Sequence, residues 1–189
     1  MTSRDQYQPG PASGAQVHKD GVKWTLVIVR ELRHPPEKVW RALTDPAQLR
    51  EWAPYDADGS LGTTGAAVKL TTVGAPAAHV TETRVKRADA PRLLEFSWGG
   101  NDLHWELEAA GSGTRLTLWA TIDRGWISAG AAGWHICLDV LERLLADHPL
   151  GRIVGIEVMK FDGWQRLNAE YAGQFGVETP TWAPGAPKR

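Results

Sequence analysis

The chain has 189 residues, 21 basic and 22 acidic, for a formal net charge of −1. That length suits one domain with a sizeable core, and the balanced charge argues against nucleic acid or an anionic membrane surface as the main partner. A lone cysteine, Cys137, rules out an intrachain disulfide and a thiolate metal cluster. No apolar run is long enough to span a bilayer and the first residues carry no signal-peptide core, so a cytoplasmic protein without membrane insertion is expected.

Residues 1–20, polar and rich in Pro, Gly and Ser, read as a mobile tail, and residues 177–189 as another, leaving one domain over 21–176. "VKWTLVIVREL" (22–32) is dense in β-branched residues and predicts a long strand. "HPPEKVWRAL" follows, with two prolines where a helix can begin and Val39, Trp40 and Leu43 on one stripe. Asp45 can cap a second short helix, with Pro46 at its first position and Leu49 and Trp52 on its apolar side. Strand patterns then recur at 66–73, 79–88, 92–98, 102–109 and 114–123. Leu94, Phe96 and Trp98 share one face, as do Leu103, Trp105 and Leu107, and Leu116, Leu118 and Ala120. The Gly-Ser-Gly at 111–113 is a hairpin turn, since no helix follows it. From about Ser128 to Ala146, Trp134, Leu138, Leu141 and Leu145 return at helical spacing, and 162–175 repeats the pattern with Trp164, Leu167, Tyr171 and Phe175. The order predicts an α+β fold in which a bent antiparallel meander covers its apolar face with the 128–146 helix and leaves a gap beside it.

"PPEKVWRALTDPAQLREW", "RLLEFSW" and "GWHICLDVLERLL" together resemble the helix-grip (START-like, Bet v 1-like, SRPBCC) superfamily. More narrowly, they resemble its bacterial branch related to the activator of Hsp90 ATPase. The resemblance spans roughly 22–175. It implies about seven antiparallel strands gripping a long C-terminal helix, two short helices after the first strand, and a deep cavity. Members include ligand carriers, lipid transporters, aromatic cyclases and co-chaperone domains, and fold does not choose among them.

Ten Trp stand against three Phe and three Tyr, which suits a large core or the lining of a cavity for a flat apolar ligand. The apolar faces place Trp52, Tyr55, Leu70, Phe96, Trp98, Trp105, Leu118, Trp134, Leu138 and Leu141 around that cavity, with Trp52 near its mouth and the Tyr55 hydroxyl at the rim. Trp134 can equally be a plain core residue. Gly133, assisted by Gly130, would let the helix approach a strand closely. His135 falls outside the stripe, where Asp139 makes it half of a solvated ion pair. His104 shares its face with Glu106 and Glu108 and so is expected in solvent; His79 and His104 could in principle meet, but no metal site is expected. Trp119 points outward and marks a contact surface or dimer seam, while Trp126 and Ile127 sit in a loop able to gate the cavity. No P-loop, GxSxG or HExxH occurs, and no catalytic residue or cofactor is assigned.

Three functions compete. The first is binding of a small apolar or aromatic molecule, lipid-like or polyketide-like, without catalysis. The second is a cyclase- or hydrolase-type enzyme using the same cavity, which needs an inward acid or base. The third is a co-chaperone-like protein contacting a chaperone through its outer surface.

Overall fold

The structure, a computed structural model, describes residues 4–180. Its strands and helices follow the local chemistry closely. Strand β1 (Ala15–Asp20) turns back through Gly21 onto β2 (Lys23–Leu32). Helix α1 (Pro36–Thr44) starts behind Pro35 and buries Val39, Ala42 and Leu43. Helix α2 (Pro46–Trp52) is capped by the Asp45 side chain, which accepts from the Ala47 N–H at 2.9 Å. Seven further strands follow: β3 (Tyr55–Ala57), β4 (Ala67–Thr72), β5 (His79–Arg84), β6 (Arg87–Asp89), β7 (Leu93–Trp98), β8 (Asn101–Ala110) and β9 (Gly113–Thr121). A short 3-10 turn at Arg124–Trp126 leads into the long α3 (Ile127–Leu145). The chain ends in α4 (Gly155–Met159) and α5 (Asp162–Phe175), the latter stopped by Gly176 in the left-handed region.

All strand pairs are antiparallel, in two ladders: β1-β2-β9-β8-β7-β6 and β3-β4-β5. Against the expected seven or so, the described residues form nine strands. Two of the differences have plain causes. The polar run at 79–88 breaks at Val85–Lys86, so β5 stays with β4 while β6 pairs with β7. The two ladders meet there through threonine hydroxyls: Ser97 N–H and Gly99 N–H donate to Thr83 Oγ1 and Thr81 Oγ1, each at 3.3 Å. The other difference is at the start of the chain. Residues 15–20, read from the sequence as tail, form β1, because β2 would otherwise expose an unpaired edge.

The segment before β1 is also held. Tyr7 is buried and its hydroxyl donates to Asp139 Oδ2 at 2.5 Å. Ala12 N–H donates to Glu170 Oε2 at 2.7 Å, and Arg166 Nη2 donates to the Pro9 carbonyl at 2.5 Å. These contacts lay residues 7–13 across α3 and α5. The correction is physical: a polar composition signals a tail only when no polar partners wait for it. Residues 1–3 and 181–189 of the expected tails lie outside the described residues.

One apolar cluster joins the inward faces of both ladders to α1, α2, α3 and α5. The inward residues are those that alternation selects: Leu94 and Phe96, Leu103, Trp105 and Leu107, Leu116, Leu118 and Ala120. Among the described residues no helix is long and apolar enough to cross a membrane.

Candidate functional site

A hollow of about 260 Å³ lies where the first half of α3 faces the ends of β8 and β9. Its sheet side is made by Trp98, Asn101, Leu103, Ala120, Thr121 and Ile122. Its helix side is Ala129, Gly130, Gly133, Trp134 and Cys137, with Trp126 at the lip, 45% exposed. The third wall is Ile153, Val154, Gly155, Val158 and Met159, from the stretch between α3 and α5. That wall is tied down at two points. Arg152 donates to the Arg50 carbonyl and to Asp56 Oδ1, both at 2.6 Å. Ile156 N–H donates to the Gly74 carbonyl at 3.1 Å, where the Gly74 and Gly155 backbones pack so closely that neither position has room for a Cβ.

Of the ten residues the sequence placed around the cavity, Trp98 and Trp134 line it. Their rings meet edge to face, 6.1 Å apart at 81°. The Trp98 indole N–H is already spent on Thr72 Oγ1 at 3.0 Å, which fixes the ring in place. Trp105, Trp52, Tyr55, Phe96, Leu70, Leu118, Leu138 and Leu141 are buried but do not line the hollow. Trp105 packs on Trp134 at 5.5 Å and on Trp52 at 6.1 Å, so the indoles form a row running from the cavity into solid core. Trp52 is not at a mouth: its N–H donates to the Ala42 carbonyl at 2.9 Å, in the interior. Tyr55 is not at a rim either, being 1% exposed in β3 between Phe96 and Trp98. Ile127 is fully buried at the start of α3, so of that loop pair Trp126 alone reaches the cavity.

The polar groups on the lining are few. Asn101 offers an amide, and Thr121 a hydroxyl that already accepts from the Asp102 N–H at 2.7 Å. Burial pushes the Cys137 thiol up to about 12, so it stays protonated and unreactive. Among the described residues the lining includes no carboxylate, imidazole, ammonium or guanidinium group. Such a surface desolvates a guest and can offer it one or two hydrogen bonds.

His135 is on the far side of α3, and the reading of it as a solvated partner of Asp139 is overturned. It is 3% exposed, because α5 and residues 7–13 cover that face. The Tyr171 hydroxyl donates to the Ser13 carbonyl at 3.1 Å, which leaves its oxygen to accept from His135 Nδ1–H at 2.7 Å. Asp139 Oδ2 is 3.6 Å from Nε2, and Arg30 Nη2 is 3.7 Å from Asp139 Oδ1. Burial first, then Arg30, lowers the imidazole to about 4, against an opposing pull from Asp139. The cluster is a structural joint.

On the outer face His104 sits between Glu95 at 2.6 Å and Glu106 at 2.8 Å, half-buried and edge-on to Trp119. That pairing covers part of the Trp119 ring, so it is half-buried and not the bare outward indole expected. His79, exposed in β5, is on the other ladder from His104. Among the described residues no group of three or more His, Cys, Asp or Glu side chains is arranged so that it could hold a metal ion.

Sequence reasoning missed the third wall altogether. "RIVGIEVM" carried the signal: an apolar run between two helices, with nothing of its own to cover it. Of the two glycines expected to allow a close approach, Gly130 does and Gly133 does not. A Cβ on Gly130 would come within 2.7 Å of Ile122 Cδ1, so the helix does pack closely there, against the end of a side chain. Around Gly133 nothing lies within 4 Å, so the expected close approach to a strand is absent.

Antiparallel ladders closed over one long helix, with an apolar hollow between them, define an α+β helix-grip protein. Residues 33–146 match the family described as activator of Hsp90 ATPase homolog 1-like protein; that is more than half of the chain, which belongs to this family. Its fold is similar to CalU16 from Micromonospora echinospora, at TM-score 0.60 and 20% identity over 84% of this chain and 94% of that one. It is also similar to EF2215 of Enterococcus faecalis, a conserved protein of unknown function, at 0.64 and 16% over 85% and 89%. DynU16, a protein in the dynemicin biosynthetic locus, matches at 0.59 and 21% over 69% of this chain and 50% of that one. At these identities the likeness shows the fold alone. A search of the curated proteins gives no match.

Proposed function

We propose that the protein binds one small, mostly apolar, ring-bearing molecule in the hollow between α3 and the ends of β8 and β9. The observation that carries this reading is the lining: three indoles, aliphatic side chains and bare helix backbone, with Asn101 and Thr121 as the hydrogen-bonding groups. The volume of about 260 Å³ sits just below the roughly 300–1,000 Å³ of sites for drug-sized ligands and equals about nine water volumes. It favours a one- or two-ring molecule over a two-chain lipid. A cyclase or hydrolase in the same cavity would need an acid or base facing the guest, and the lining offers an amide, a hydroxyl and a neutral thiol.

The test is titration of the protein with a panel of aromatic metabolites and single-chain lipids, followed by tryptophan emission and native mass spectrometry. Trp98, Trp126 and Trp134 report directly on occupancy. Retention of a one- or two-ring compound at 1:1, with quenching, is the expected result. A panel that leaves both signals unchanged refutes the reading.

The family description favours a second reading, contact with an Hsp90-type chaperone through the outer surface, where Trp119 and the β1 edge are the candidates. Stimulation of chaperone ATPase activity by the purified protein would support the second reading, and unchanged turnover would remove it.

A further inference from the structure

If the hollow is the ligand site proposed above, Gly133 in the middle of α3 takes on a role in it. Glycine is the poorest helix former after proline, so one in the interior of a long helix needs a reason. Gly130 has one, the contact with Ile122. Gly133 has none of the usual kind. Its φ is not in the left-handed region, no backbone crosses it, and a Cβ built there meets open space. That open space belongs to the cavity, since Gly133 is part of its lining. The missing side chain thus leaves one thing behind, which is room.

We propose that Gly133 is the specificity-determining residue of the cavity, fixing an upper size limit that admits a planar two-ring aromatic. The flat face of such a molecule packs on bare helix backbone at Gly133, with Trp98 and Trp134 as neighbouring walls. A methyl group at 133 stands where the second ring would lie. A one-ring molecule avoids it.

The experiment compares wild type, Gly133→Ala and Gly133→Leu by calorimetric titration with 2-naphthol and with toluene, together with thermal melting. For Gly133→Ala the 2-naphthol Kd rises about tenfold or more, as overpacking a fitted site requires, while toluene shifts less than about threefold. For Gly133→Leu both probes are excluded. The Tm of Gly133→Ala rises by about 2–4 °C, because alanine replaces glycine in a helix without a clash, so weaker binding cannot be ascribed to a damaged fold. If wild type binds and both variants keep wild-type affinity for 2-naphthol, the inference fails and the carrier reading stands. Equal loss of both probes in Gly133→Ala also overturns the size limit. Wild type that binds neither probe removes the inference.

Discussion

His135 makes the stability of this protein depend on pH in a direction that can be worked out. In the fold it is 3% exposed and lowered to about 4; in the unfolded chain it returns to its ordinary 6.5. Arg30 and Arg166 add to the burial that resists its charging, while Asp139 and Glu170 pull the other way. Between those two values the unfolded chain takes up a proton and the fold does not. The stabilisation is therefore complete above pH 6.5 and is lost as pH falls toward 4. Each pKa unit is worth about 1.4 kcal/mol, so at pH 5 this one side chain costs the fold about 2 kcal/mol relative to neutral pH. Urea unfolding at pH 7 and pH 5 measures the loss, and His135→Gln isolates it, since an amide can still donate to the Tyr171 oxygen but does not titrate. Wild type should lose about 2 kcal/mol more than the variant over that interval. Equal losses would show that His135 is not held neutral between α3 and α5, and the account of residues 7–13 as its cover would go with it.

Three further outcomes follow from particular contacts. Deleting residues 1–14 removes the Tyr7–Asp139 and Ala12–Glu170 hydrogen bonds and should lower Tm by at least about 6 °C; an unchanged melt would mean the segment rides on the surface. At pH 8 a thiol at about 12 is thiolate in about one molecule in ten thousand, so Cys137 should resist a disulfide reagent until urea unfolds the chain; rapid release of chromophore from the native protein would contradict its burial. Gly155→Ala sets a Cβ within 2.5 Å of the Gly74 backbone at a φ of 72°, so equilibrium unfolding should show a loss of about 2 kcal/mol or more; wild-type stability would mean the third wall is not pinned there.

The elements were legible because their causes are local. Alternation marks the inward faces of β7, β8 and β9 whatever surrounds them, and Pro36, Asp45 and Pro46 start α1 and α2 by their own backbone chemistry. The helix-grip order was legible for the same reason. What covers each face was not. His135 lies off the apolar stripe of α3, and helical periodicity alone sends such a residue to solvent. It is interior because Tyr171 and Tyr7 arrive from segments 36 and 128 residues away in sequence to complete a polar joint. Residues 15–20 carry little strand signal; they are a strand because β2 presents an edge.

The cavity shows the division most clearly. Periodicity identified Trp52, Trp105, Trp98 and Trp134 alike as apolar-facing, and all four are buried or nearly so. Whether a buried indole touches another side chain or borders a void depends on the distance to the opposite wall, and the residue carries no mark of that distance. The amino-acid order by itself determined which apolar faces turn away from water. The tertiary structure decided which of them meet and which stay apart, because packing is settled between segments distant in the chain, and a hollow is defined by what fails to reach it.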